Sequence, residues 1–169
     1  VPLMTTGIAN SPSVAEQAMH MMMSLAKRGF ELNTLVANNR WADRMSAVPF
    51  DLIEKTVVII GFGRSGTRTA KRCAAMEMNV LIYDPYVPAA TITAAGYEAV
   101  SNLDAALPRA DFISIHCPKT PETIGLFNTA RLALLKPTAY LVNTARGGIV
   151  DEKALYVALT SGKLAAAGL

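Results

Sequence analysis

TVVIIGFGRSGTRTAKRCAAM, residues 56–76, is the stretch on which the fold turns. Thr56, Val57, Val58, Ile59 and Ile60 make a β-branched apolar run, long enough for a strand and too short for a helix. The run enters Gly61-Phe62-Gly63-Arg64-Ser65-Gly66, a G-x-G-x-x-G sequence. Ala70, Cys73 and Ala74 then recur at helical spacing, with Arg68, Lys71 and Arg72 on the other faces. The glycines thus stand between a strand and a helix, the context in which such a loop carries meaning. Gly61 is expected to permit a tight turn, Gly63 the approach of a pyrophosphate, and Gly66 close packing of helix on strand. The helix N-terminus supplies free N–H groups and positive potential to phosphates. An ordinary glycine turn explains the loop taken alone. What lifts it is a second strand, 79–84, ending in Asp84 about 20 residues on, where a carboxylate grips a ribose diol. Loop and carboxylate together read as dinucleotide binding.

The bulk numbers agree with one globular domain. At 169 residues the chain buries a real core, and with 51% hydrophobic and 17% charged residues it is not disordered. The net charge of +3 is mild, and no aromatic-basic interleaving points to nucleic acid. Arg64, Arg68, Lys71 and Arg72 cluster near the proposed phosphate site, though a solvated helix face explains them equally well. No apolar run approaches a membrane span, and no metal-ligand pattern stands out. Cys73 and Cys117 read as small core residues rather than a disulfide, so the expected compartment is the cytoplasm. Val1 in place of a methionine and the apolar end at Leu169 suggest a piece of a longer protein.

Outward from the glycine loop, strand and helix signals alternate. Towards the N-terminus, residues 1–12 read as an irregular lead-in, and Ser13-Val14-Ala15-Glu16 has the form of a capping box. The helix it opens is expected to end near Arg28 with Gly29 at its C′ position, and its apolar circumference predicts burial on more than one side, His20 included. A second helix fits 30–40, with a less regular stretch from Trp41 to Glu54. Towards the C-terminus, short helices fit 89–95, 102–107 and 129–135, and strands fit 97–100, 111–117, 138–143 and 164–169. Asp151 is the expected N-cap of a helix reaching Ser161, with Val150 and Leu155 as its hydrophobic staple. The pattern predicts an α/β fold with a Rossmann-type, doubly wound parallel sheet.

Ligands in such a sheet bind beyond the carboxyl ends of the strands. Four ends carry distinctive residues: the glycine loop, Asp84, His116-Cys117-Pro118 and Thr144-Ala145-Arg146. Arg146 leaves a buried strand and is followed by Gly147 and Gly148, which leave room for close approach. A guanidinium there could hold a carboxylate through two hydrogen bonds and polarise a neighbouring carbonyl. Pairing with a surface carboxylate is the plain alternative. His116 reads as a strand-end histidine satisfied by backbone, and Thr120 and Thr123 as turn formers.

These motifs match a family. Ser13-Val-Ala-Glu16, the glycine loop, Tyr83-Asp-Pro85, His116-Cys-Pro-Lys-Thr-Pro-Glu-Thr123 and above all Asn143-Thr-Ala-Arg-Gly-Gly-Ile-Val-Asp-Glu152 resemble the D-isomer-specific 2-hydroxyacid dehydrogenases, most closely the branch of D-3-phosphoglycerate dehydrogenases and hydroxypyruvate reductases. The resemblance covers essentially the whole chain. It implies NAD as cofactor and a small D-2-hydroxy acid as substrate, with Arg146 as the catalytic arginine that holds the substrate carboxylate. Arg64 and Ser65 would meet the pyrophosphate through their N–H groups, Asp84 the adenosine ribose, and Cys117, Thr144 and Ala145 would lie along the cofactor. The implied cofactor set is thus Gly61, Gly63, Arg64, Ser65, Gly66, Asp84, Pro85, His116, Cys117, Pro118, Thr144, Ala145 and Arg146. Residues 1–55 would supply a lead-in, an interdomain helix and a homodimer arm. The family's substrate domain, its nicotinamide-side aspartate and its catalytic glutamate and histidine would lie outside this chain, which alone is expected to be inactive. Two positions depart from the family pattern: Ser65 replaces an isoleucine or valine, and Lys119 a leucine. The competing reading is a dinucleotide-sensing or protein-interaction module of the corepressor type, which has no need for the carboxylate clamp at Arg146.

Overall fold

The computed structural model describes residues 9–169. Six strands form one parallel sheet: β1 (Thr56–Ile60), β2 (Asn79–Tyr83), β3 (Glu98–Ala99), β4 (Phe112–Ile115), β5 (Tyr140–Asn143) and β6 (Ala166–Gly168). Their order is β3-β2-β1-β4-β5-β6, so the winding direction reverses between β1 and β4. The helices are α1 (Ser11–Ala26), α2 (Gly29–Ala37), α3 (Arg64–Ala75), α4 (Ala89–Ala94), α5 (Leu103–Ala106), α6 (Thr129–Leu132) and α7 (Glu152–Thr160). This is the doubly wound fold the alternation predicts.

Successive side chains of β1 point to opposite sheet faces, and each face has its own core. Val57 and Ile59 pack with Val80, Ile82, Phe112 and the α1 and α3 residues Ala18, Met22, Ala70 and Cys73. Val58 and Ile60 pack with Ile113, Ile115 and Leu141 against Leu103, Leu132 and Leu155 from α5, α6 and α7. Fully burying one such aliphatic side chain contributes about 1.5–3 kcal/mol, so a strand apolar on both faces is stable only when both are covered. Phe50, from the irregular stretch, closes the lower edge of the first core with Phe112 and Tyr140, at centroid distances of 6.1 and 5.5 Å.

The N-terminal helix corrects the sequence reading in three respects. Residues 1–8 of the expected lead-in lie outside the described residues, but α1 begins at Ser11 rather than after Ser13. Asn10 is the N-cap and Pro12 sits in the first turn, where a missing N–H costs nothing. Ser13 is therefore inside the helix, and Glu16 pairs across to Arg72 of α3 at 3.1 Å instead of closing a capping box. At the other end Arg28, not Gly29, takes the left-handed conformation (φ 51°), and Gly29 opens α2. Finally, burial is confined to one stripe, Ser11, Ala15, Ala18, Met22 and Ala26, with the other methionines half-buried and His20 exposed. An apolar circumference of methionine and alanine carries no partner information; the partner is set by where α1 crosses α3, β5 and β6.

The remaining elements follow expectation within a few residues. The β4 ladder stops at Ile115 because its partner β1 stops at Ile60, which leaves His116 and Cys117 beyond the sheet edge. Asp151 accepts hydrogen bonds from the N–H groups of Lys153 and Ala154, and its neighbours Val150 and Leu155 are buried as a staple requires. Cys73 is buried and Cys117 half-buried, both as free thiols. Among the described residues no helix is long and apolar enough to cross a membrane.

Candidate active site at the carboxyl edge of the sheet

Two of the cavities that open at the carboxyl ends of the strands hold the residues singled out by sequence. The first, of about 530 Å³, lies over the switch point and is lined by Gly61, Gly63, Asp84, Pro85, His116, Cys117 and Pro118, together with Tyr86, Glu122 and Leu126. The glycine loop forms its floor. Gly61 has φ +97°, and a Cβ there would stand 2.9 Å from the Cys117 nitrogen. A Cβ on Gly66 would stand 1.9 Å from the Gly61 carbonyl oxygen, so α3 starts directly on the turn only because both residues lack side chains. Gly63, by contrast, has nothing within 4 Å of its missing Cβ. It is the open face of the loop, at the N-cap of α3, where an anion can approach unpaired N–H groups.

Asp84 does more than its sequence position suggests. Its Oδ2 accepts the N–H of Phe62 in the glycine loop at 2.8 Å, and its Oδ1 accepts the N–H of Tyr86 at 2.9 Å. The carboxylate therefore ties the loop after β1 to the loop after β2. Each oxygen has a second acceptor site, which leaves capacity for a diol.

His116 departs from expectation. Its side chain is satisfied by no backbone group: Nε2 shares a hydrogen bond of 2.8 Å with Ser114 Oγ, and Nδ1 is buried without a partner. Burial lowers its pKa from 6.5 to about 4, so the ring is neutral at physiological pH. Burial likewise pushes the Cys117 thiol up, away from thiolate chemistry. Thr120 and Thr123 are turn formers as expected: Thr123 Oγ1 accepts the Thr120 N–H at 2.8 Å and donates to the Pro118 carbonyl at 2.6 Å.

The second cavity, of about 650 Å³, lies between α1 and the loop after β5. It is lined by Ser13, Val14, Gln17 and Met21 of the helix and by Asn143, Thr144, Ala145, Arg146, Gly147 and Gly148. Asn143 shapes that loop from both sides, accepting the Ala145 N–H at 3.1 Å and donating to the Arg146 carbonyl at 3.0 Å. The Arg146 side chain is exposed and donates from Nη1 to the Ala145 carbonyl at 2.7 Å; it forms no ion pair with a described residue. The surface-carboxylate alternative for Arg146 is thereby excluded among the described residues. Gly147 has open space around it, but the room at Gly148 is taken: Lys119 Nζ stands 2.9 Å from where its Cβ would be. The departure from leucine at 119 thus places an ammonium group against Gly148, on the loop that lines the second cavity.

The structure brings together the residues expected on either side of a dinucleotide, with Gly61, Gly63, Asp84, Pro85, His116, Cys117 and Pro118 in one cavity and Thr144, Ala145 and Arg146 in the other. Ser65 is half-buried and Arg64 exposed at the start of α3, below the open face of Gly63. Of the basic residues on α3, Arg68 bonds the Arg64 carbonyl and Arg72 pairs with Glu16, so these two serve the helix and its contact with α1. Two buried polar atoms lack a partner among the described residues, His116 Nδ1 and Thr144 Oγ1, and each belongs to one of the two cavities. Buried polar groups are rarely left unpaired, so both fit a ligand that brings its own hydrogen-bonding atoms. Sequence reading did not assign Tyr86, Glu122 or the four lining residues of α1 to the site. Ser13, Val14 and Glu122 stand in motifs quoted from the sequence, but that they and Tyr86, Gln17 and Met21 line a cavity is decided by tertiary contacts alone.

Comparison with known proteins bears on what such a ligand is. Residues 19–169 match the family model described as D-isomer specific 2-hydroxyacid dehydrogenase, NAD binding domain. D-3-phosphoglycerate dehydrogenase of Methanocaldococcus jannaschii is 41% identical over 161 residues, and that of Mycobacterium tuberculosis 43% identical over 161 residues. In both cases the match covers 95% of this chain and 30% of the relative, so the chain spans under a third of their length. D-lactate dehydrogenase from Aquifex aeolicus, solved with NAD and lactic acid, superposes with a TM-score of 0.89 at 38% identity, covering 95% of this chain and 48% of that one. NAD-dependent formate dehydrogenase from Staphylococcus aureus, solved with NAD, gives 0.86 at 35% identity over 96% of this chain and 48% of that one. No relative named here is a corepressor, and the module reading finds no support. With a glycine turn that a carboxylate ties to the neighbouring loop, two unpaired buried polar atoms at the same sheet edge and a family model matched over residues 19–169, this chain belongs to the D-isomer-specific 2-hydroxyacid dehydrogenase family, as its NAD-binding domain.

Proposed function

We propose that this chain is the cofactor half of an NAD-dependent oxidoreductase that interconverts a small D-2-hydroxy acid and its 2-keto acid, of which 3-phosphoglycerate and hydroxypyruvate are the leading candidates. The observation that carries this reading is Arg146, exposed without an ion pair in a cavity beside the unpartnered Thr144 hydroxyl. A bound nicotinamide would supply the hydride chemistry. The chain's own residues bind and orient. The N–H groups of Arg64 and Ser65 at the start of α3 take the pyrophosphate, and Asp84 takes the adenosine ribose while holding the Phe62 N–H. Cys117, Thr144 and Ala145 lie along the dinucleotide, and Arg146 holds the substrate carboxylate through paired charge-assisted hydrogen bonds. Neither described histidine suits the proton transfer: His20 is on the exposed face of α1, and His116 is buried and neutral.

Asp84 also makes the site one for NAD rather than NADP, because a 2′-phosphate would meet a like charge at the cost of about a hundredfold in affinity. The arm after α1 is the proposed homodimer contact. No residue of α2 is buried, and Phe30, Val36, Trp41 and Met45 are exposed. Calorimetry tests the site: 3-phosphoglycerate or hydroxypyruvate should bind the NAD-loaded chain and fail to bind an Arg146→Gln variant that retains NAD. Substrate binding unaffected by that change would sink the assignment of Arg146. Sedimentation at high protein concentration tests the dimer.

A further inference from the structure

One contact across the mouth of the nucleotide cleft is not needed to hold the fold. The Tyr86 hydroxyl donates a hydrogen bond to Glu122 Oε2, joining the loop after β2 to the loop after β4. Both side chains are exposed and both line the cavity that contains Asp84 and Gly63. Tyr86 is held at its other end as well, since its N–H donates to Asp84 Oδ1. One residue thus links two carboxylates on opposite sides of the cleft. Among the described residues, Asp84 and Glu122 are the only acidic ones that line this cavity, and no lysine or arginine lines it. We propose that Glu122, positioned by Tyr86, is a second determinant of cofactor choice: with Asp84 it forms a two-carboxylate rim that excludes 2′-phosphorylated dinucleotides from the adenosine end.

This rests on reading the cavity as the adenosine site, and it goes beyond that reading by adding a residue from a different strand end. The two acids differ in what else they do. Asp84 supports two backbone N–H groups, so its removal disturbs the glycine loop along with the charge. Glu122 accepts only the Tyr86 hydroxyl among the described residues, so its neutralisation changes charge and leaves the backbone as it was. Bonding to Glu122 pushes the Tyr86 pKa up, which keeps the phenol a donor over the whole range of ordinary assay conditions. Such a rim would make a cleft whose floor is open at Gly63 selective, because the charge stands at the mouth, where the ligand enters.

The test is the ratio of NAD to NADP affinity of the 169-residue chain, measured by calorimetry for wild type, Glu122→Gln, Tyr86→Phe and Asp84→Ser. Glu122→Gln is expected to tighten NADP about tenfold and leave NAD within about twofold, as removal of one partly solvated like charge should. Tyr86→Phe should move the ratio in the same direction by less, with an unchanged melting temperature. Asp84→Ser alone should retain a preference for NAD that disappears in the Asp84→Ser, Glu122→Gln double variant. A ratio that Glu122→Gln leaves unchanged, with NAD still bound, overturns the role of Glu122 and leaves the cofactor reading standing. A wild-type chain that binds no NAD overturns both.

Discussion

The two cavities at the sheet edge are built by different means. The cleft over the switch point is a main-chain structure: its floor is shaped by the absence of side chains at Gly61 and Gly66, and Asp84 pins it through a backbone N–H. The Arg146 cavity is a side-chain structure. Its guanidinium stands on a loop shaped by Asn143, its opposite wall is a helix more than a hundred residues earlier in the chain, and Gly147 has free space around it. The first cavity is therefore intolerant of small changes in covalent structure. The second should tolerate most substitutions structurally and lose function when one charge is lost.

The largest expected effect separates the cavities most sharply. Gly66→Val would drive a branched side chain into a carbonyl oxygen that a Cβ already meets at 1.9 Å. A clash with backbone cannot be relieved by a rotamer change, so a loss of about 3 kcal/mol or more and no measurable NAD binding are expected. Gly147→Ala is the matched control. A Gly66→Val protein that melts and binds NAD normally would erase the distinction.

Next is turnover. The 169-residue chain, assayed with NADH and hydroxypyruvate, should run slower than a complete dehydrogenase by at least the 10²–10⁴ that acid–base catalysis contributes, about three to five kcal/mol. Turnover near ordinary rates, abolished by His116→Ala, would show that this chain supplies the proton-transfer group itself, at His116.

The pH dependence of stability probes the cleft alone. Burial lowers His116 from 6.5 to about 4, so between these values the unfolded chain binds more protons than the folded one. The contribution is fully present above pH 6.5 and is lost as pH falls through 4, amounting to roughly 3 kcal/mol. Melting curves at neutral pH and near pH 4 should therefore differ less for His116→Asn than for wild type; an identical difference would mean that the ring is not buried as described.

The smallest energetic change, Arg146→Lys, is confined to the second cavity. It keeps the charge and removes the two-pronged donor, so substrate should weaken about ten- to a hundredfold, the worth of a charged hydrogen bond. NAD affinity and melting temperature should not move. A parallel loss of NAD binding would mean that the two cavities are not independent.

Much of this comparison was legible before any coordinates. The glycine loop, Asp84 and the alternation of elements act over short separations, through turn geometry and strand burial that local composition encodes. Asp151 and its staple were legible for the same reason. The errors lie where two local solutions compete. Ser13 and Asn10 can both cap α1, and Pro12 in the first turn permits the earlier one. Arg28 and Gly29 can both close it, and the closure falls on Arg28 because α2 starts at once. For His116 no local rule names the partner, which is Ser114 two residues back on the same strand face.

By itself the sequence determined the order of elements, the parallel sheet with two apolar faces, the glycine turn between β1 and α3, and Arg146 on the loop after β5. These follow from period, backbone conformation and residue chemistry, which are properties of a few neighbouring residues. Only the tertiary structure decided that Asp84 clamps the glycine loop, that Lys119 fills the space at Gly148, that α1 walls the Arg146 cavity, and that Tyr86 reaches Glu122. Each joins residues separated by at least twenty positions. Such contacts depend on how strands 1, 2, 4 and 5 lie side by side, and hydrophobic patterning specifies which face of a strand is buried without specifying what stands at its end.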